Sequence, residues 1–342
     1  MKDGKIMKKK TKNSIPFVFK LFIGIVVLIG MFVVAMIFGA AETTLKDVWL
    51  AFTSNRKSDT ILMLREIRFP REIAAIIVGA ALSVSGAIMQ GLTRNPLADP
   101  GLLGLSAGAN AALALTLAFI PSANYIWITI SCFIGAAIGT GMVFGLGALQ
   151  KGGFSPLRIV LAGAAVSTFL YAVADGIGIF FKLSKNVSIW TSGGVIGTSW
   201  EQLKLMIPII IIGIIISLLL SRQLTILSLN EEVAVGLGQK TIRIKTILFF
   251  IVILLAGTSV ALVGNMAFIG LMIPHIVRAL VGTDYRFIIP SSAIVGGIFM
   301  LFADTLGRTI NAPYETPVAA IVAAVGLPFF LIIICKGGKM FS

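Results

Sequence analysis

From Leu21 to Ala41 the chain runs for 21 residues without a charge, and comparable apolar blocks recur to its end. The blocks are continuous rather than alternating, and about 20 such residues in a helix reach across a ~30 Å hydrocarbon core. In lipid only a helix or a closed barrel satisfies every backbone group, and the lack of a two-residue alternation leaves the helix. The pattern predicts ten spans, at residues 17–41, 72–90, 102–120, 125–149, 157–181, 203–220, 242–263, 266–281, 288–305 and 317–334. An even number returns both ends of the chain to one side.

Two places break the pattern. "RNPLADPGLLGLSAGA", from Arg94 to Ala109, sets two prolines, an Arg, an Asn and an Asp between apolar runs. Pro96 and Pro100 end one helix and launch the next, with Gly101 and Gly104 allowing a tight return. The bland reading is a rigid turn. The sharper one puts Asn95, Pro96 and Leu97 at the inner mouth of a transport path, as a gate. Pro274 interrupts the short segment 266–281, and proline-broken segments in a bundle point to such a path, although a kink without function leaves the same trace. Gly135, Gly139, Gly141 and Gly145 recur at four-residue spacing. They let helix backbones approach and are read as packing.

Composition turns this into an integral membrane protein. Hydrophobic residues make up 57% and charged ones 12%, where a soluble domain has about 25% charged. A net charge of +14 raises nucleic-acid binding, but seven lysines lie between Lys2 and Lys20 and most other cations punctuate the apolar runs. That placement suits an anionic cytoplasmic leaflet, and the aromatic–basic interleaving that single strands need is absent. With the N-terminus inside, 18 of the 28 Lys and Arg fall on inner segments and 10 on outer ones, which argues for both ends inside. Lys8–Lys10, the apolar run and Phe38-Gly39-Ala40-Ala41 resemble a secretory leader. The run outlasts a leader's core of ~7–15 residues, so the first helix is retained. The expectation is one membrane domain over residues 1–342, with a basic cytoplasmic start at about 1–16.

No catalytic or cofactor chemistry emerges. Cys132 and Cys335 sit in apolar stretches without a CxxC partner and read as buried small hydrophobes. His275 is the single histidine and has no carboxylate or second His at ligand spacing. "GLGQKT", Gly236 to Thr241, has Gln239 where a phosphate loop needs Gly, and no strand precedes it.

The remaining charges carry the functional reading. Arg65, Arg68, Arg71 and Arg308 lie on the outer side against the charge bias. Arg71 also opposes a helix dipole, at ~0.3–1 kcal/mol. Arg68 and Arg71, three apart, share a helix face, and either snorkel to lipid headgroups or dock an acidic partner. On the inner side, Asn230 caps a short helix whose first turn holds Glu231 and Glu232. It continues through Ala234 and ends at Gly236 and Gly238. Its acidic start suits a groove on a protein partner better than an anionic membrane. Asp175 stands well inside a span, where a carboxylate costs ~2.5–3.5 kcal/mol, so it either lines a path or pairs within the bundle.

"RFPRE", "SGAIMQGLTRNPLADPGLLGLSAGA", "LNEEVAVGLG", "FIGLMIPHIVR", "ADTLGR" and "ETPVAAIVAAVGLPFF" resemble, in order, the permeases of the FecCD/BtuC family, importers of ferric siderophores, haem and vitamin B12. The motifs cover Arg65 to Phe330, and one mild departure is Ala319 where the family often has Gly. The resemblance implies an all-α, ten-helix type II importer permease in the bacterial cytoplasmic membrane, with no cofactor. It implies a second permease subunit, identical or related, two cytoplasmic ATP-binding subunits and an extracellular substrate-binding (lipo)protein. By that analogy Arg68, Arg71 and Arg308 face acids on the binding protein, and Asn230–Gly238 sits in the ATPase groove. A ferric siderophore is the expected cargo, with haem or cobalamin as alternatives. An ion-coupled secondary transporter is the competing class, but it would need neither the inner helix nor the outer arginines.

Overall fold

The computed structural model describes residues 16–39, 43–54, 58–148 and 156–335. Lys8–Lys10, Ala40, Ala41 and the inner-side cations Lys151, Lys336 and Lys339 lie outside them. Every regular element among the described residues is helical. The chain begins α1 (Phe17–Ile37), α2 (Leu45–Thr53) and α3 (Asp59–Met63), then passes through a π-helical turn, Leu64–Arg68, into α4 (Phe69–Thr93). A 3-10 turn at Pro100–Leu103 leads to α5 (Leu105–Phe119), α6 (Tyr125–Ala148), α7 (Pro156–Phe180), α8 (Ser184–Thr191) and α9 (Trp200–Leu219). Two short inner helices follow, α10 (Ser221–Leu229) and α11 (Glu231–Gly236), and then α12 (Thr241–Val263), α13 (Ile269–Val281), α14 (Tyr285–Thr309) and α15 (Val318–Cys335).

Each of the ten predicted segments falls on a helix, but they are not ten equal spans. Among the described residues seven helices are long and apolar enough to cross a membrane, and three apolar ones, Leu105–Phe119, Ile269–Val281 and Val318–Ile332, are shorter. The 13 residues of α13 rise only about 20 Å. Hydropathy sees apolar composition but not where backbone geometry stops a helix. Phe268 and Gly282, at φ +67° and +88°, bracket α13. The predicted outer loop before residue 72 also contains structure: α2 is held by a capping box between Thr44 and Asp47.

α4 is the axis of the bundle and is buried along nearly its whole length, packed by α9, α12, α13 and α14. Small residues make this possible. A Cβ on Gly79 would lie 2.2 Å from the Gly296 carbonyl oxygen of α14, and one on Gly86 1.9 Å from that of Gly270 in α13. α5 and α6 cross in the same way, Gly108 on Gly135 and Gly104 beside Gly139. A Cβ on Gly141 or Gly145 would meet nothing within 4 Å among the described residues, so half of that glycine pattern marks no close helix crossing there. Cys132 is buried as expected, whereas Cys335 is exposed at the end of α15.

Candidate functional site

The inner end of the bundle is built around α11 and the turn after α4. Asn230 leaves α10 with an extended backbone, and its side chain accepts from the Glu232 N–H at 2.9 Å. That capping turns the chain into α11 as the sequence led one to expect. The six-residue helix turns Ala234 fully inward and leaves Val233, Val235 and Leu237 48–65% exposed. Gly236 and Gly238 have open space around them, and Gly238 takes φ +77°. The result is a small exposed apolar knob with a glycine-smooth flank. Glu232 is exposed, but Glu231 points back to the bundle, with Lys245 Nζ at 2.6 Å and Arg94 Nη2 at 3.9 Å.

Arg94 itself ends α4 in a left-handed conformation, φ 52°. The Arg94 N–H donates to the Gln90 carbonyl, and the Asn95 N–H donates to the same oxygen at 3.2 Å. The Asn95 side chain accepts from the Leu97 N–H at 2.9 Å, a local turn that holds Pro96 out to solvent. Asp99 then caps the 3-10 turn by accepting from the Gly101 N–H at 2.6 Å, and burial pushes its carboxyl up to about 6. The helix break therefore comes from Arg94, before either proline. Of the two glycines only Gly104 uses positive φ.

Asp175 lies on α7, among the least buried of the long helices, on a face with Phe169, Ile179 and Phe180 exposed and Gly176 touching nothing within 4 Å. In a single chain this face would meet lipid, which is costly for a mid-span carboxylate.

At the outer end the three arginines take a course that neither snorkelling nor docking anticipates. Arg71 places two nitrogens on Asp304, at 2.8–3.1 Å, and two on Glu315, at 2.8 and 3.0 Å. Arg308 reaches Glu72 at 2.5 Å and Asp304 at 3.0 Å. Arg68 donates to the Met36 carbonyl at 2.6 Å and to Thr43 Oγ1 at 2.7 Å, closing the end of α1. All three arginines are buried. Whatever they meet outside, these groups already have partners inside the protein, tying α1, α4, α14 and the segment after α14 together. Their acidic partners stand in the same motifs as the arginines, yet 233 and 236 residues away for the tightest pairs. Sequence spacing could not pair them. It also passed over Lys245, the inward partner of α11, and Gln90, whose side chain bonds to α13.

The FecCD transport family matches residues 26–336. The Iron(3+)-hydroxamate import system permease protein FhuB of Bacillus subtilis is 42% identical over 85% of this chain and 76% of its own length. The Iron-uptake system permease protein FeuB of the same organism is 42% identical over 80% of this chain and 82% of its own. Among solved structures, a metal-chelate type ABC transporter in an inward-facing conformation superposes with a TM-score of 0.80 at 26% identity, covering 93% of this chain and 99% of that one.

Proposed function

The chain belongs to the FecCD transport family, and from that premise we propose that it is the permease of an ATP-driven importer whose cargo is a ferric siderophore. It is a multi-pass bacterial membrane protein of the ABC permease type. The observation that carries the coupling role is α11: a capped helix with an outward apolar knob and an inward acid seated on Lys245 and near Arg94. A cytoplasmic ATP-binding subunit would grip Val233, Val235, Gly236 and Leu237. Its motion would reach α4 and α12 through Glu231. Two copies of the permease, or this chain and a related one, would face each other across α7, so that Asp175 meets a water-filled path rather than lipid. Asn95, Pro96 and Leu97, beside Arg94, would form the inner rim of that path. An extracellular binding protein would deliver the cargo, and ATP hydrolysis would belong to the partner subunits.

Uptake of an ⁵⁵Fe-labelled hydroxamate chelate by a knockout strain, with and without this gene, tests the reading. Restored, vanadate-sensitive uptake together with co-purification of an ATPase supports it. Uptake abolished by a proton uncoupler but indifferent to vanadate would assign the chain to ion-coupled transport instead.

A further inference from the structure

Pro274 lies in the middle of α13 and has no N–H, so the Gly270 carbonyl four residues earlier loses its helical donor. Gly270, Pro274 and Gln90 are all buried, away from water that could replace it. The Gln90 side chain reaches across from α4, and its Nε2 donates to the Gly270 carbonyl at 3.2 Å and to the Leu271 carbonyl at 3.1 Å. Its Oε1 accepts from Arg278, one turn beyond the proline on the same helix. The amide orientation follows from the partners, since carbonyls only accept and a guanidinium only donates. The Arg278 guanidinium also lies near the Tyr285 hydroxyl at the start of α14.

The same place is crowded from two other sides. A Cβ on Gly270 would lie 3.1 Å from both the Leu82 carbonyl oxygen of α4 and Pro100 of the 3-10 turn. The Gln90 main-chain carbonyl meanwhile anchors the left-handed start of the inner turn, at Arg94 and Asn95. One residue thus holds the inner turn with its backbone and the opened turn of α13 with its side chain.

We propose that Gln90 is a positioning residue of the transport cycle: it supplies the hydrogen bond that Pro274 removes and, with Arg278, locks α13 to the inner end of α4. The two then move as a unit when α11 is displaced. The inference rests on the importer reading, because it assigns Gln90 to the link between ATPase and path. Proline gives α13 a turn that its own backbone cannot hold, and α4 holds it instead, so the position of α13 follows that of α4.

A double-mutant cycle separates this from simple core packing. Gln90→Leu keeps approximate volume, and Pro274→Ala returns the helical N–H to the Gly270 carbonyl. In the complex with its ATPase, Gln90→Leu is expected to lower chelate uptake about tenfold, because the unsatisfied Gly270 carbonyl weakens the hold of α4 on α13, while ATP hydrolysis persists. In the Pro274→Ala background the same change is expected to cost severalfold less, because the Gly270 carbonyl is then satisfied and only the bond from Arg278 to Oε1 is still lost. If Pro274→Ala itself stops transport, the melting temperature supplies the cycle: Gln90→Leu should lower it clearly more in the parent than beside Pro274→Ala. Equal losses in both backgrounds overturn the proposal. Uptake and ATP hydrolysis falling in strict proportion would do so as well. Absence of ATP-dependent uptake in the unmutated complex would instead be a failure of the importer reading.

Discussion

Arg308→Met should destabilise the protein far more than it changes recognition of any partner. The substitution keeps much of the side-chain volume but leaves Glu72, whose carboxylate has no exposed surface, without the cation at 2.5 Å. Removing one member of a buried pair costs ~3–5 kcal/mol, because the other charge stays behind. Arg71→Met should cost less, since Asp304 keeps Arg308 at 3.0 Å and Glu315 has 30% of its side chain in solvent to fall back on. Glu315→Gln, at the exposed edge, should cost no more than ~1 kcal/mol. The double variant Glu72→Gln with Arg308→Met should recover most of the loss, since a neutral pair leaves no orphan charge. Thermal denaturation of the detergent-solubilised protein gives the ranking, and affinity for the binding protein is measured on the same samples. An unchanged melting temperature for Arg308→Met with lost binding-protein affinity would refute the internal-tether account and restore the docking role. A Glu315→Gln penalty equal to that of Arg308→Met would refute the burial argument.

Gly236→Trp should abolish uptake and leave melting unchanged, because the position is exposed and a Cβ added there meets nothing within 4 Å among the described residues. Ala234→Leu, at a fully buried position, should instead lower stability by ~1–3 kcal/mol; equal melting of the two variants would contradict the orientation of α11. Gly86→Ala should cost at least the upper end of ~1–3 kcal/mol, since its Cβ would sit 1.9 Å from the Gly270 carbonyl oxygen, and a melting temperature within error of the parent would exclude that crossing. Burial raises the Asp99 carboxyl from its ordinary 3.8 to about 6, so the folded state favours its neutral form and the penalty of ionising it grows as pH rises through that interval. Asp99→Asn should therefore gain stability over the parent between about pH 4 and pH 6, keep that gain above, and show none below; a pH-independent difference would dismiss the burial of Asp99.

The helical segments were legible because lipid forces a local solution: each crossing satisfies its own backbone, and its apolar run reports that directly. α11 was equally legible, since Asn230, the paired glutamates and the closing glycines act within ten residues. What the sequence concealed is what depends on contacts between distant segments. Arg71 finds Asp304, and Gln90 finds Gly270, across most of the chain. Without those partners in view, a row of outer cations reads as a surface. The unequal helix lengths were hidden for a related reason: α13 is as apolar as a span, and only the positive-φ Phe268 and Gly282 at its ends cut it short.

The most direct test of the account is reconstitution of this chain, its ATPase and its binding protein in proteoliposomes loaded with a chelate trap. ATP-dependent, vanadate-sensitive accumulation of a ferric hydroxamate, lost in Gly236→Trp with the assembly otherwise intact, is the predicted result. Accumulation that needs no ATP, or that survives the tryptophan at Gly236, would contradict it.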